Sequence, residues 1–338
     1  MRIADLPLGS GAALAPMAGV TDAAMRGICA RFGAVFTVSE MVSAKALVMS
    51  DKKSRRLMLG GGGSAPYGVQ LFGAEPDTLA EAVRCIEDIP FDFVDINMGC
   101  PAPKIVQGGQ GSALLKNPAL AGQIAAAVVV ASPKPVTAKL RIGWDEKALT
   151  GKEVALRCEN AGVALLSIHA RTREEMYRPG VHYDIVAEIK QAVKIPVLLN
   201  GDITDGPMAA EALRQTGCDG VMVGRGAMGR PWVFRDITAA LRGEEIPPPP
   251  PLTERFALLD EQVQALCRQM GEENGMRHAR GVAAHYMRGL RGAAALRRQA
   301  VSMSRYADLA ALLAQAYDCQ QRSGIEEDDT PPAVFAPW

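Results

Sequence analysis

Val197-Leu198-Leu199-Asn200-Gly201-Asp202, a helical stretch over Pro207–Thr216, and then Gly220-Val221-Met222-Val223-Gly224-Arg225-Gly226 decide how this sequence folds. Each apolar run stops at a small cluster of glycine and polar residues. Neither run alternates apolar with polar positions, which is the pattern of parallel strands covered on both faces. The same unit recurs toward the N-terminus. Apolar runs stand at Ala12–Ala15, Val35–Val38, Tyr67–Leu71, Phe93–Ile96, Val136–Leu140 and Leu165–Ile168, which makes eight with the two above. Helical periodicity follows them, for example over Thr78–Ile89 and Pro118–Ala131. Eight βα units predict a closed (β/α)8 TIM barrel. The rival is an open doubly wound sheet. It places a phosphate-binding glycine fingerprint after its first strand, and Ala15-Pro16-Met17-Ala18-Gly19 is not one.

The chain has 338 residues, more than such a barrel needs at roughly 250. A break comes at Gly243-Glu244-Glu245-Ile246 and the five prolines Pro247–Pro251, a run that favours a stiff polyproline spacer rising about 3.1 Å per residue. Beyond it, Leu252–Met270, Met276–Leu290, Ala293–Val301 and Ser304–Gln321 read as helices. The predicted organisation is a barrel domain over 1–243, a proline-rich linker over 244–251, a small α-helical bundle over 252–323 and a loosely ordered tail over 324–338.

Charge is balanced at 37 basic and 37 acidic residues, so a nucleic-acid partner must be held by a local patch. Apolar runs such as Ala125–Ala131 fall short of the roughly 18 residues of a membrane span. Arg2 and Asp5 stand where a signal peptide would be apolar, so the sequence reads as cytoplasmic. Its seven cysteines are scattered and form no C-x-x-C pair, which argues against a disulfide framework or a structural zinc site. No metal is expected, and a monomer without a stable protein partner is the default.

In a TIM barrel, chemistry gathers at the C-terminal ends of the strands. Those ends carry Pro16-Met17-Ala18, Gln70, Asn97 to Cys100, Lys139 and Arg141, His169 and Arg171, Asn200-Gly201-Asp202, and Gly224-Arg225. Such a ring suits an anionic, planar ligand rich in heteroatoms. Glycine loops after the seventh and eighth strands commonly bind phosphate in this fold. FMN fits, with Lys139 and His169 neutralising the reduced ring and Gln70 bonding its pyrimidine edge. The alternative is that these glycines only make tight turns.

A lone cysteine is usually a small buried hydrophobe. Cys29, Cys85, Cys158, Cys218 and Cys267 read that way, whereas Cys100 sits where the chain leaves a strand, between Gly99 and Pro101. Neighbouring cations there are placed to tune a thiol. His169 is open to structural and functional readings, His182, His278 and His285 have weaker cases, and Asp22 and Glu40 read as capping or loop-fixing residues.

Several segments together resemble the tRNA-dihydrouridine synthases, closest to the bacterial B-type subgroup. They are Ala15-Pro16-Met17-Ala18-Gly19-Val20-Thr21-Asp22, Val69-Gln70-Leu71, Asp95-Ile96-Asn97-Met98-Gly99-Cys100-Pro101, Gly111–Leu115, Lys139–Trp144, Ile168-His169-Ala170-Arg171-Thr172-Arg173, Asn200–Ile203 and Gly224–Gly226. The Asn-Met-Gly-Cys-Pro and His-x-Arg-Thr segments are the specific ones, and the resemblance runs over residues 12–236. It implies an FMN- and NADPH-dependent (or NADH-dependent) reduction of the C5–C6 double bond of tRNA uridines, with the D-loop as target region. In that scheme flavin N5 delivers hydride to C6, and Cys100 protonates C5 from the opposite face. The resemblance also assigns Pro16, Met17, Ala18, Gln70, Lys139, His169, Asn200, Gly201, Asp202, Gly224 and Arg225 to FMN. Asn97, Arg141, His169 and Arg171 face the uracil or its phosphates.

An RNA partner has independent support. From Arg277 to Arg305 the sequence holds seven arginines and no acidic residue. A surface that tracks phosphates needs such a one-sign patch. Arg277, Arg280 and Arg288 are its candidates for tRNA contact. Two rivals remain. A flavin barrel acting on a small molecule, of the dihydroorotate-dehydrogenase kind, leaves the arginine stretch unexplained. A non-enzymatic RNA-binding barrel leaves Cys100 beside a full flavin set unexplained.

Overall fold

The computed structural model describes residues 1–60 and 63–321. Its strands are β1 (Arg2–Ile3), β2 (Leu6–Pro7), β3 (Ala12–Leu14), β4 (Thr37–Val38), β5 (Val42–Ser43), β6 (Tyr67–Phe72), β7 (Phe93–Met98), β8 (Val136–Gly143), β9 (Leu165–Thr172), β10 (Val197–Asn200) and β11 (Gly220–Val223). Parallel pairing runs β4-β6-β7-β8-β9-β10-β11-β3. The seam closes through Val35 N donating to Ala12 O at 2.9 Å and Leu14 N to Phe36 O at 3.1 Å. All eight predicted runs are therefore barrel strands, and the open-sheet alternative is excluded.

The hairpin β1–β2 was not foreseen. Its Ile3, with Leu8 just after it, joins a buried interior cluster of Ala13, Phe36, Val38, Phe93, Leu165, Leu198 and Met222. Phe93 meets Phe36 edge to face at 5.3 Å. Glycine is needed beside it, because a Cβ on Gly68 would lie 2.2 Å from the Phe93 ring.

Two strands outrun their predicted ends. β8 extends past Leu140 to Gly143 and β9 past Ile168 to Thr172. The extensions alternate: Lys139 and Arg141 share one face of β8, His169 and Arg171 one face of β9, and Leu140, Ile142 and Ala170 take the other. The predicted ends fall just before Arg141 and His169, where polar side chains interrupt the apolar pattern. The helix predicted over Thr78–Ile89 spans Pro76–Arg84, with proline in its first turn. Pro118–Ala131 is a helix as expected.

The chain divides into two compact units. One comprises Met1–Gly226 with Val233–Ile246, and the other Ala227–Trp232 with the chain from Pro247 on. The six residues Ala227–Trp232 thus group with the helices, which sequence composition did not signal. In the second unit, helices span Leu252–Met270, Glu272–Tyr286, Ala293–Ser302 and Tyr306–Gln321. The second of these begins before its predicted Met276 and ends before Leu290, and Glu272 and Glu273 occupy its first turn, where helix-end charge favours acids. Phe256, Leu259, Val263, Leu266, Met276, Leu296, Leu309 and Leu312 are buried there. Trp232 is buried too, with the Arg255 guanidinium 5.3 Å from its ring centre. The predicted tail over 324–338 lies outside the described residues. Among those residues no helix is long and apolar enough to cross a membrane.

Candidate active site

Strand register sets the site. Asn97 pairs with Lys139, Lys139 with Ser167, Arg141 with His169, and His169 with Asn200. Neighbouring strands thus bring these residues to two successive rows near the C-terminal end of the barrel.

Cys100 follows β7 and is half-buried. Its loop is held from both sides. Asn97 Oδ1 accepts from Gly99 N at 3.2 Å and Cys100 N at 2.9 Å. The Cys100 carbonyl accepts from Ser112 N at 3.0 Å and Ser112 Oγ at 2.9 Å. Gly111 makes that contact possible: its φ is +59°, and a Cβ there would stand 2.8 Å from Cys100 O. Arg141 adds a third tie, donating from Nε to Gly99 O at 2.9 Å and from Nη1 to Thr172 O at 2.8 Å and Met176 O at 2.9 Å. Three other cysteines differ. Cys29, Cys158 and Cys218 are buried, and burial pushes the Cys158 thiol up to about 12 and the Cys218 thiol to about 11. Cys85 and Cys267, expected to be buried, are only partly so.

Four cations crowd the barrel mouth. Lys139 Nζ donates to Asn200 Oδ1 at 2.9 Å, and Asn200 Nδ2 to Met222 O at 2.8 Å. Burial, then Arg141, lowers the Lys139 pKa to about 8. Arg171 is 1% exposed and fully engaged: Nε donates to Arg178 O at 2.8 Å, Nη1 lies 3.3 Å from His169 Nε2, and Nη2 pairs with Asp202. Asp202 also pairs with Arg225 at 2.9 Å. It does so from a left-handed φ of +50°, a conformation aspartate tolerates better than most residues.

His169 is buried among these charges. Desolvation first, then Arg141, Lys139, Arg171 and Arg225, hold its pKa well below 6.5, so its ring is neutral. Arginine only donates, so His169 Nε2 accepts and the proton sits on Nδ1. His169, expected to neutralise a reduced flavin, stands here as a neutral ring beside the Lys139 ammonium. Arg141 and Arg171, expected at the uracil or its phosphates, tie mouth loops together from within the site.

Sequence reading passed over Asp95, Thr137 and Tyr177. Asp95 accepts from Gln70 Nε2 at 2.7 Å and Thr137 Oγ1 at 2.5 Å, and Gln70 Oε1 accepts from Asn97 Nδ2 at 2.8 Å. Tyr177 is 47% exposed, with the Arg141 and Arg225 guanidinium carbons each 5.5 Å from its ring centre and the His169 ring at 6.4 Å. An exposed aromatic in a β→α loop was the available signal. Asp22 caps the first helix through Met25 N at 2.9 Å, and Glu40 accepts from Gly19 N, as expected of loop-fixing residues.

A flavin fits these donors. Among the described residues, Lys139 Nζ has two hydrogens, Gln70 Nε2 one and His169 Nδ1 one beyond their protein partners. Pro16 and Met17 are half-buried and Ala18 exposed after β3, while Asn200, Asp202, Gly224 and Arg225 are half-buried after β10 and β11. In the helical unit, Arg277 is exposed and pairs with Glu273 at 2.7 Å, Arg280 donates to Met303 O at 2.7 Å, and Arg288 is half-buried. Among the described residues no cluster of metal-ligating side chains occurs.

The family model for dihydrouridine synthase (Dus) matches residues 13–321, both units included. The chain belongs to the dihydrouridine synthase family. It is an oxidoreductase, since making dihydrouridine from uridine adds two hydrogens across a double bond. Relatives support the B-type subgroup. The tRNA-dihydrouridine synthase B of Pseudomonas aeruginosa is 43% identical over 88% of this chain and 90% of that protein. A probable tRNA-dihydrouridine synthase of Rickettsia conorii is 39% identical over 88% and 90%. Among solved structures, histamine dehydrogenase from Rhizobium sp. 4-9 superposes with a TM-score of 0.56 at 15% identity, covering 71% of this chain and 47% of that one. A morphinone reductase mutant gives 0.50 at 15% identity over 75% and 92%. These two share the barrel fold.

Proposed function

We propose that this synthase reduces uridines in tRNA, in the D-loop region, with FMN as bound cofactor and NADPH or NADH as reductant. The observation that carries the reading is Cys100. It is a half-buried thiol on a triply anchored loop, at the same end of the barrel as the unspent donors of Lys139, Gln70 and His169. FMN would be held by Pro16, Met17, Ala18, Gln70, Lys139, Asn200, Gly201, Asp202, Gly224 and Arg225, and when bound it supplies hydride to uracil C6.

The protein's own groups do the rest. Hydride addition leaves enolate-like charge on the uracil, so an acid is needed at C5 in the transition state. The Cys100 Sγ–H gives that proton. Asn97, Arg141, His169 and Arg171 frame the uracil, with Lys139 and the Nδ1–H of His169 stabilising negative charge. Tyr177, exposed and flanked by Arg141 and Arg225, offers a face against an extruded base. The target uridine must leave its stack to reach Cys100, and RNA contacts offset that cost. Arg277, Arg280 and Arg288 serve that grip through phosphates rather than base edges.

The test is direct. Purified protein, unmodified tRNA transcript, FMN and NADPH are incubated, and the tRNA is analysed by mass spectrometry. A gain of two hydrogens on specific uridines is expected. NADPH oxidation with no change in the tRNA would overturn the proposal.

A further inference from the structure

Asp95 is buried inside the barrel, and the chemistry above gives it no task. It ends a chain of hydrogen bonds that begins at the proton donor's own backbone. Cys100 N donates to Asn97 Oδ1 at 2.9 Å, Asn97 Nδ2 to Gln70 Oε1 at 2.8 Å, and Gln70 Nε2 to Asp95 Oδ2 at 2.7 Å. The second carboxylate oxygen accepts from Thr137 Oγ1 at 2.5 Å.

Both ends of this chain have fixed chemistry. A backbone N–H only donates, and an ionised carboxylate only accepts. The two amides between them are ambiguous in isolation, because oxygen and nitrogen can exchange places. Between a donor-only and an acceptor-only end, one orientation of both amides satisfies every group. Turning either amide around sets donor against donor or acceptor against acceptor at a buried site, which is costly.

We propose that Asp95 is a positioning residue that fixes the direction of the Gln70 and Asn97 amides, aiming Asn97 Oδ1 at the Cys100 loop and keeping one Gln70 N–H free for the cofactor. The inference rests on the proposed function for what Cys100 and Gln70 serve. The geometry also explains why the position is an acid. An asparagine at 95 matches the shape but carries a donor. If that donor faces Gln70, both amides must reverse, and an NH2 then confronts the Cys100 N–H. If it faces Thr137, the buried Thr137 hydroxyl hydrogen loses its acceptor. Asp95 also acts through charge. Lys139 is the cation near it, and Arg141, Cys100 and His169 are the other titratable groups facing Lys139. Burial raises the Asp95 pKa, while Thr137, Gln70 and Lys139 favour its ionised form.

The test uses two variants and two measurements that involve no RNA. Asp95→Asn is compared with the double variant Asp95→Asn with Gln70→Glu. In the double variant the acceptor-only group moves one link along, so the carboxylate introduced by Gln70→Glu again receives the Asn97 Nδ2 and restores its direction. The spare Gln70 N–H is not restored. The readouts are the rate of Cys100 alkylation by iodoacetamide, followed on its peptide with Cys100→Ala as blank, and the FMN dissociation constant from flavin fluorescence.

In Asp95→Asn, Cys100 alkylates about tenfold faster because its loop is released, and FMN binds about tenfold more weakly, as expected for one broken buried hydrogen bond. In the double variant alkylation returns to the wild-type rate while FMN binding stays weak. A purely structural role would not separate the two. The inference is overturned if Asp95→Asn changes neither quantity, or if the double variant fails to restore alkylation. Should Asp95→Asn not fold, a folded double variant with wild-type alkylation supports the inference, and one that also fails to fold overturns it. A negative uridine-reduction assay would count against the proposed function alone.

Discussion

The barrel mouth and the helical unit are both rich in arginine, but they hold it differently. At the mouth, Arg141 and Arg171 are each 1% exposed, and their guanidinium groups bond to Gly99, Thr172, Met176, Arg178, His169 and Asp202. In the helical unit, Arg277, Arg291, Arg297, Arg298 and Arg305 are exposed, and Arg277 and Arg305 face acids one helical turn away. Desolvating a charge costs several kcal/mol, so a buried arginine persists only with its partners in place. An exposed arginine costs little and can serve a partner that arrives from outside. The mouth is therefore a preorganised site, and it is on the exposed helical arginines that the proposed phosphate contacts fall.

The largest effect expected from this contrast is at Asp202. Asp202→Asn keeps the side-chain shape and the tolerance for a left-handed φ, but removes the charge that pairs with buried Arg171. It should lower unfolding stability by about 3 kcal/mol, read from urea denaturation. Little change would mean that the mouth cations are less tightly balanced than their geometry implies.

The next effect is in acid and belongs to the helical unit. Burial, then Arg288, lowers the His285 pKa to about 4 from an ordinary 6.5. The unfolded chain then takes up a proton between pH 6.5 and 4 that the folded protein refuses, so stability falls as pH drops through that window. The loss is up to about 3 kcal/mol. His285→Gln should remove that part of the pH dependence, measured as urea midpoints at neutral and acid pH. Lys139 has the same sign in the alkaline range: its folded-state pKa of about 8 makes its contribution to stability rise as pH climbs from there toward 10.5. Its ammonium charge at the barrel mouth is lost as pH passes about 8.

The smallest effects per residue are at the exposed arginines. Arg297→Ala and Arg298→Ala should each change stability by no more than about 0.5 kcal/mol. In tRNA binding, each that meets a phosphate should reduce the slope of log affinity against log salt by about 1. Unaltered salt slopes in both would move the RNA surface elsewhere.

Much of this was legible because barrel strands are buried on both faces. The eight runs from Ala12 to Val223 declared themselves as apolar segments, and Cys100 stood out by its place after one of them. What escaped has physical reasons. Asp95 sits one residue before Ile96 in an apolar run, and nothing local separates an inward carboxylate with three neighbours from a strand-edge acid. Lys139, Arg141, His169 and Arg171 were named, but which of them contact a ligand and which cross-link loops depends on the Asp202 and Arg178 partners that strand neighbours supply. The hairpin at Arg2–Pro7 has two-residue strands, too short to carry a period. Ala227–Trp232 groups with helices that come later in the chain, a long-range matter on which composition is silent.

The central claim is that Cys100 gives a proton and takes no part in flavin reduction. Cys100→Ala should be loaded with FMN, reduced anaerobically with NADPH, and mixed with tRNA in a single turnover. Flavin binding and reduction by NADPH should match wild type, while dihydrouridine forms at least about 100-fold more slowly, the loss expected for a missing general acid. Dihydrouridine formation at the wild-type rate would contradict the account.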